Sequence, residues 1–103
     1  MRKKESFRCL IIEDDAEFAK LASGLIREEG GAVTHCGNLA EARATADAQT
    51  FDVILLDNHL PDGKGYGFFE HLARRFPEAP IIMITGVPDL GEAVALTRNG
   101  LFD

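Results

Sequence analysis

Short apolar runs alternate with amphipathic segments along this chain. Three of the runs are almost entirely apolar and rich in β-branched residues: Phe7–Ile12, Val53–Leu56 and Ile81–Ile84. Their composition and length are typical of parallel strands that are buried on both faces. Ala32–Cys36 mixes polar and apolar residues, which favours a strand at the edge of a sheet. The pattern therefore predicts four strands.

The segments between the strands have helical spacing. The first carries one apolar stripe at positions i, i+3, i+4, i+7 and i+8, formed by Phe18, Leu21, Ala22, Leu25 and Ile26. Gly30–Gly31 would end that helix. An Ala-rich second helix over about Leu39–Ala48 follows Asn38, which can cap it together with Glu41, as in a capping box.

Two further helices complete the predicted pattern. The apolar residues of the third are Phe68, Phe69 and Leu72. Pro77 lies just past its end, and Asp89 can cap a fourth helix that ends at Asn99–Gly100. Strands that alternate with helices in this way indicate an α/β fold with a parallel sheet, helices on both faces and right-handed crossovers.

Composition and charge narrow the function classes. The length of 103 residues predicts one domain over residues 1–103, with residues 1–6 as a frayed polar tail. A formal net charge of −6 argues against nucleic-acid binding by this domain, because phosphate contacts need clustered Lys and Arg. Neither a secretory signal nor a membrane-spanning run is predicted. Cys9 and Cys36 are expected to be buried thiols of a cytoplasmic protein.

Polar residues follow three of the predicted strands directly. The first strand leads into Glu13, Asp14 and Asp15, the third into Asp57, and the fourth into Thr85 and Gly86. In open parallel sheets, ligands bind beyond the carboxyl ends of the strands, where the strand order reverses. We therefore expect these side chains to share one edge of the sheet.

Carboxylates gathered in this way repel one another. Glu13 or Asp14 at about 5 Å from Asp57 would be repelled by roughly 3 kcal/mol at an effective dielectric of about 20. A raised pKa or a bound cation relieves that repulsion. Mg²⁺ suits such a site, since it takes one or two carboxylates, keeps waters and bridges to phosphate oxygens. Asp57 would then be able to act as a nucleophile toward a phosphoryl group.

Each acidic residue also has a purely structural interpretation. Asp15 is expected to cap the first helix, and Glu13 and Asp14 taken alone would more often cap a helix or lie in a solvated turn. The three histidines, His35, His59 and His71, show no metal-ligand spacing. The acidic pair, the single Asp and the hydroxyl appear in that order, each directly after an apolar strand, and this joint pattern favours the functional interpretation.

Three stretches of the chain resemble the receiver domains of two-component response regulators. They are LIIEDDAEF (10–18), FDVILLDNHLPDGKG (51–65) and PIIMITG (80–86). The resemblance spans nearly the whole chain and implies a flavodoxin-like, doubly wound sheet of order 2-1-3-4 for the strands present. It implies Mg²⁺ as cofactor and, as phosphoryl donor, a histidine kinase or phosphotransfer protein.

The resemblance also implies a role for individual residues. Asp57 matches the phosphoacceptor, and Thr85 matches the switch hydroxyl that moves toward the phosphoryl group. Asp14 matches the direct metal ligand, and Glu13 matches the acidic partner that acts through water. His59 matches the residue that offers its backbone carbonyl to the metal.

One departure from the family pattern concerns the end of the chain. Receivers continue into a fifth strand, which carries a Lys that pairs with the phosphoryl group, and a fifth helix; both lie beyond Asp103. We expect the chain to be part of a longer regulator. The lifetime of the phosphoryl group, the cognate kinase and any effector output are left open.

The sequence thus favours a phosphorylation-dependent switch that is not an enzyme in its own right. The alternative is a truncated or degenerate receiver that acts only as an interaction module and self-associates through the exposed edge of the fourth strand. A hydrolase with an aspartyl nucleophile is disfavoured, because the haloacid dehalogenase pattern needs a second Asp where this chain has His59. Flavin binding would be an analogy of fold alone.

Overall fold

A parallel four-stranded sheet forms the centre of the computed structural model, which describes residues 6–84. The elements in chain order are β1 Phe7–Ile12, α1 Ala16–Glu28, β2 Gly31–Cys36, α2 Leu39–Ala48, β3 Val53–Leu56, β4 His59–Leu60, β5 Gly63–Lys64, α3 Gly65–Arg75 and β6 Ile81–Met83. The strand order is β2-β1-β3-β6, which confirms the predicted order 2-1-3-4. Thr85, the predicted fourth helix and the chain end lie outside the described residues.

The alternation of side chains along the strands divides the core into two layers. Leu10 and Ile12 of β1 point to the face that α2 and α3 cover, and they pack with Ile54 and Leu56 of β3 in the larger cluster. Cys9, the neighbour of Leu10, belongs to the smaller cluster on the opposite face. Because helices lie on both faces, the inner strands are apolar at every position except Arg8 near the start of β1. Burial on both faces therefore explains the continuous apolar runs in the sequence.

Helix α1 covers its face of the sheet only in part. Ala22 and Ile26 pack against the smaller cluster, as the apolar stripe predicted. Phe18, Leu21 and Leu25, however, are 42%, 68% and 60% exposed. Three of the five residues on the predicted packing face therefore do not pack closely against the described part of the chain. The periodicity alone could not indicate this.

The helix ends follow their predicted signals. Asp15 caps α1 by accepting hydrogen bonds from the N–H groups of Glu17 and Phe18. Asn38 Oδ1 accepts from the Glu41 N–H at 2.8 Å, while Glu41 reaches back to the N–H of Gly37. Gly30 follows α1 with φ of 94°, a left-handed conformation that favours glycine. Each of these two helices therefore begins at a local side-chain cap.

A small antiparallel hairpin, β4–β5, follows the third strand of the sheet and was not predicted. His59 pairs with Lys64, and Leu60 pairs with Gly63. The sequence pattern misses it because two-residue strands have no periodicity to detect. The hairpin matters because it directly follows Asp57 and leads into α3.

Both cysteines are buried free thiols, as expected. Burial raises the pKa of Cys9 to about 11, so this thiol stays protonated at neutral pH. Within residues 6–84, no helix is both long and apolar enough to cross a bilayer.

Two leucine substitutions test the division between packed and exposed helix faces. Leu72 of α3 is fully buried, so Leu72→Ala should lower the free energy of unfolding by about 2–5 kcal/mol. Leu21→Ala in α1 makes the same chemical change at a position that is 68% exposed, and should change it by less than about 0.5 kcal/mol. Urea unfolding measures both. Equal losses would contradict the observed placement of α1.

Candidate metal centre

Adjacent strand ends bring three carboxylates together. Glu13 directly follows β1 and Asp57 directly follows β3, and these two strands are hydrogen-bonded neighbours. The Asp57 N–H donates to the Ile12 carbonyl at 2.9 Å, which fixes the register at this end of the sheet. One carboxylate oxygen each from Glu13, Asp14 and Asp57 lie within 4.8 Å of one another. The predicted convergence at one edge of the sheet is therefore present.

Glu13 is held in a buried and highly constrained position. Its N–H donates to the Cys36 carbonyl at 3.0 Å, and its Oε2 accepts from the Asp15 N–H at 3.0 Å. His35 Nε2 lies 2.6 Å from the Glu13 carbonyl oxygen, a distance that requires this nitrogen to carry the proton. The solvated turn that Glu13 taken alone would favour is thus not what forms.

The surroundings of Glu13 disfavour its charged form. Its pKa is raised to about 7, mainly by burial and in addition by the nearby carboxylate of Asp57, against the lowering effect of the hydrogen bond from Asp15. Glu13 and Asp57 are buried, whereas Asp14 is exposed. The cluster thus has two buried oxygen donors and one donor on the solvent side.

This donor set fits a hard divalent cation. Carboxylate oxygens are the ligands that such cations prefer, and a cation that keeps several waters needs one open side. The exposed position of Asp14 provides that side, and a dication would offset the repulsion that otherwise raises the Glu13 pKa. The arrangement can hold a cation next to a buried carboxylate that is a candidate nucleophile.

Asn58 anchors the segment that follows Asp57, a role that the sequence did not reveal. The side chain is almost fully buried, and its Oδ1 accepts from the Tyr66 N–H at 2.7 Å. Its carbonyl accepts from the Gly65 N–H at 3.0 Å. Asn58 therefore supplies the cap that Lys64, at the formal start of α3, does not. The eight-residue separation from Tyr66 leaves no local capping signature to read.

The other predicted site residues have different outcomes. His59 is exposed and lies in β4, two residues beyond Asp57, and its carbonyl as a metal ligand stays a prediction. Thr85 lies outside the described residues, although Ile84 just before it donates its N–H to the Leu56 carbonyl at 3.0 Å. His71 stacks on Phe68 within α3, and its Nε2 lies 3.7 Å from Oδ1 of Asp47 on α2.

Comparison with known proteins identifies the family. The sequence matches the family described as "Response regulator receiver domain" over residues 9–103. The chain belongs to this receiver family. The predicted resemblance is confirmed.

Curated relatives of this receiver are longer proteins. It is 29% identical over 96 residues to the response regulator protein PilR of Pseudomonas aeruginosa, covering 93% of this chain and 22% of PilR. It is 32% identical over 96 residues to the transcriptional regulatory protein DpiA of Escherichia coli K12, covering 91% of this chain and 42% of DpiA. The chain thus spans less than half the length of either relative.

Solved structures agree with the fold of this receiver. A response regulator of Burkholderia pseudomallei, solved with a phosphorylated aspartic acid, a calcium ion and citrate, aligns with a TM-score of 0.85 at 30% identity over 91% of this chain and 55% of that one. A CheY-like receiver domain of Methanospirillum hungatei aligns with a TM-score of 0.88 at 26% identity over 95% of this chain and 78% of that one.

Two glycines of α3 test how tightly the site is packed. A Cβ on Gly65 would collide with the Asp57 carbonyl oxygen, whereas a Cβ on Gly67 would meet no atom within 4 Å. Gly65→Ala should lower the free energy of unfolding by about 1–3 kcal/mol because backbone has to shift. Gly67→Ala should raise it by about 0.5–1 kcal/mol through helix propensity. Chemical denaturation measures both, and a stable Gly65→Ala protein would contradict the close packing of α3 on Asp57.

The raised pKa of Glu13 predicts a pH-dependent stability in the absence of divalent cations. The folded protein holds the Glu13 proton more tightly than the unfolded chain, whose pKa is near 4.5. The contribution of Glu13 is therefore fully present below about pH 4.5 and is lost as the pH rises through about 7. Relative to Glu13→Gln, wild-type protein should lose on the order of 2–3 kcal/mol across this range.

Urea unfolding in the presence of a chelator measures this difference at each pH. Glu17→Gln is the matched control, because it makes the same chemical change at an exposed glutamate in the first turn of α1. A difference between wild type and Glu13→Gln that stays constant with pH would contradict the described environment of Glu13.

Proposed function

We propose that this receiver accepts a phosphoryl group on Asp57 in a reaction that depends on Mg²⁺. The supporting observation is the approach of the Glu13, Asp14 and Asp57 oxygens to within 4.8 Å of one another. Membership of the receiver family supports the same conclusion. The donor would be a histidine kinase or a phosphotransfer protein, and the reaction would take place in the cytoplasm.

The chemistry follows from the position of the Asp57 carboxylate. One of its oxygens attacks the phosphorus atom of a phosphohistidine, and a new phosphorus–oxygen bond forms. The bond between phosphorus and the imidazole nitrogen breaks, its electron pair stays on that nitrogen, and the imidazole takes a proton from solvent. Such a transfer needs positioning and neutralisation of charge more than it needs covalent help from the protein.

Each acidic residue would have a distinct part in this reaction. Asp14, on the solvent side, would bind the cation directly, and buried Glu13 would bind it through water. Mg²⁺, when bound, supplies the positive charge that offsets the charge of the phosphoryl oxygens. Asn58 and Gly65 hold the segment after Asp57 against α3, so that the nucleophile keeps one orientation.

The phosphorylated state would act as a switch. Thr85, which follows the strand next to β3, would donate a hydrogen bond from its hydroxyl to a phosphoryl oxygen and move toward it. The chain would then shift between two arrangements, with the phosphoryl group stabilising one of them. Apart from its own phosphorylation and dephosphorylation, the domain would catalyse no reaction.

The second candidate function is an interaction module that binds another chain and does not react with phosphoryl donors. Within residues 6–84, β6 pairs only with β3, and Ile82 on this strand is 45% exposed. An apolar residue on an unpaired strand edge favours association with another chain. The two candidates differ in whether a phosphoryl donor changes the protein.

Incubation with acetyl phosphate and Mg²⁺, followed by intact-protein mass spectrometry, tests the proposal. Wild-type protein should gain the mass of one phosphoryl group, and Asp57→Asn should gain none because the nucleophilic oxygen is lost. Asp47→Asn is the control, since Asp47 is an exposed carboxylate on α2 outside the cluster. Omission of Mg²⁺ should suppress the gain in mass.

Two results would contradict the proposal. One is wild-type protein that gains no mass while a second receiver, treated in parallel, is phosphorylated; this result would favour the interaction module. The other is Asp57→Asn protein that gains as much as wild type, which would place the phosphoryl group elsewhere.

A further inference from the structure

Asp62 joins two elements that are distant in sequence. It lies in the turn between β4 and β5, yet its Oδ1 accepts from the Leu39 N–H at 2.8 Å and its Oδ2 accepts from the Ala40 N–H at 3.0 Å. These are the first two residues of α2. The carboxylate therefore binds the start of a helix that already has its own cap in Asn38.

The two acceptors satisfy different groups of the same helix. Asn38 takes the N–H of Glu41, and Asp62 takes the N–H groups of Leu39 and Ala40, so they do not compete. A carboxylate at a helix N-terminus is also favoured by the helix dipole. The hydrogen bond from Leu39, with that from Ala40, lowers the pKa of Asp62, which keeps the group charged near neutral pH.

The hairpin also lies in close contact with α2. Gly63 has a φ of 151°, and a Cβ at this position would come within 2.9 Å of the Leu39 Cδ1 atom. Only a residue without a side chain allows this approach without a shift. The turn is thus held on α2 by two hydrogen bonds and by van der Waals contact.

The other end of the same segment is held by α3. Asn58 accepts hydrogen bonds from Gly65 and Tyr66 at the start of that helix. The segment from Asn58 to Asp62 is therefore anchored at both ends, and it begins one residue after Asp57. His59, whose carbonyl is a predicted metal ligand, lies between the two anchors.

We propose that Asp62 is a positioning residue that couples the first turn of α2 to the binding of Mg²⁺ at the carboxylate cluster. It acts through the segment that carries His59 and does not itself touch the cation. The proposal rests on the cation site of the proposed function. Coupling between two sites is reciprocal. The bound cation should therefore stabilise the hydrogen bonds of Asp62 by the same free energy by which those hydrogen bonds stabilise cation binding.

Two substitutions separate positioning from simple stabilisation of α2. Asp62→Ala removes the acceptor for Leu39 and Ala40 together with the link to the hairpin. Asn38→Ala removes the acceptor for Glu41 at the same helix end and leaves that link intact. Isothermal titration calorimetry of the whole chain with Mg²⁺ gives the affinity, and urea unfolding gives the stability of each variant.

Asp62→Ala should weaken Mg²⁺ binding by at least about 5-fold, whereas Asn38→Ala should change it by less than about 2-fold. Asp62→Asn retains one carbonyl acceptor and should fall between wild type and Asp62→Ala. Equal Mg²⁺ affinities in Asp62→Ala and Asn38→Ala protein would overturn the proposal and leave Asp62 with a purely structural role.

Amide hydrogen exchange in wild-type protein provides a second readout. Saturating Mg²⁺ should slow exchange at Leu39 and Ala40 by up to the factor by which Asp62→Ala weakens Mg²⁺ binding. Exchange at Gln49, at the other end of α2, should show no matching change. Unchanged exchange at Leu39 and Ala40 would overturn the proposal.

The coupling and the proposed function fail in different ways. Wild-type protein that does not bind Mg²⁺ would overturn both. Wild-type protein that binds Mg²⁺, shows the coupling and yet is never phosphorylated would leave the role of Asp62 standing and would overturn the phosphoacceptor function of Asp57.

Discussion

Electrostatic repulsion among three carboxylates is the constraint on which the rest of this structure depends. Because β1 and β3 are hydrogen-bonded neighbours, Glu13 and Asp57 lie at the same end of the sheet. Asp14, the next residue after Glu13, completes the cluster. Burial, and to a smaller extent the neighbouring carboxylate of Asp57, raises the pKa of Glu13 to about 7. The arrangement is unfavourable for stability by itself, and in the proposed function a bound dication would make it favourable. Such a site would link fold stability, proton binding and cation binding.

The contacts around the cluster prevent the carboxylates from moving apart. The hydrogen bond from the Asp57 N–H to the Ile12 carbonyl fixes the position of the Asp57 backbone at the end of β3. Gly65 packs so closely on the Asp57 carbonyl that this backbone cannot move toward α3. The β4–β5 hairpin is fastened to α3 by Asn58 and to α2 by Asp62. These contacts preorganise the segment around Asp57, so that its carboxylate keeps one position.

Local patterns in the sequence predicted the strands and helices, but not the hydrogen bonds between residues that are distant in sequence. The strands β1 and β3 and the helix α2 have the predicted bounds, because continuous apolar runs and a local cap specify them within a few residues. The carboxylate cluster was also predictable, since parallel strands share one edge. The caps from Asn58 and Asp62 were not, because their partners lie 8 and 22–23 residues away. Exposure of Leu21 depends on what covers α1, which periodicity does not encode.

A crystal structure of the chain soaked with Mn²⁺ in place of Mg²⁺ tests the central claim most directly, because the anomalous signal locates the ion independently of any assumed ligand. The account predicts one strong peak in direct contact with oxygens of Asp14 and Asp57, and within one water of Glu13. A peak bound to other carboxylates, or no peak at this edge of the sheet at saturating Mn²⁺, would contradict it.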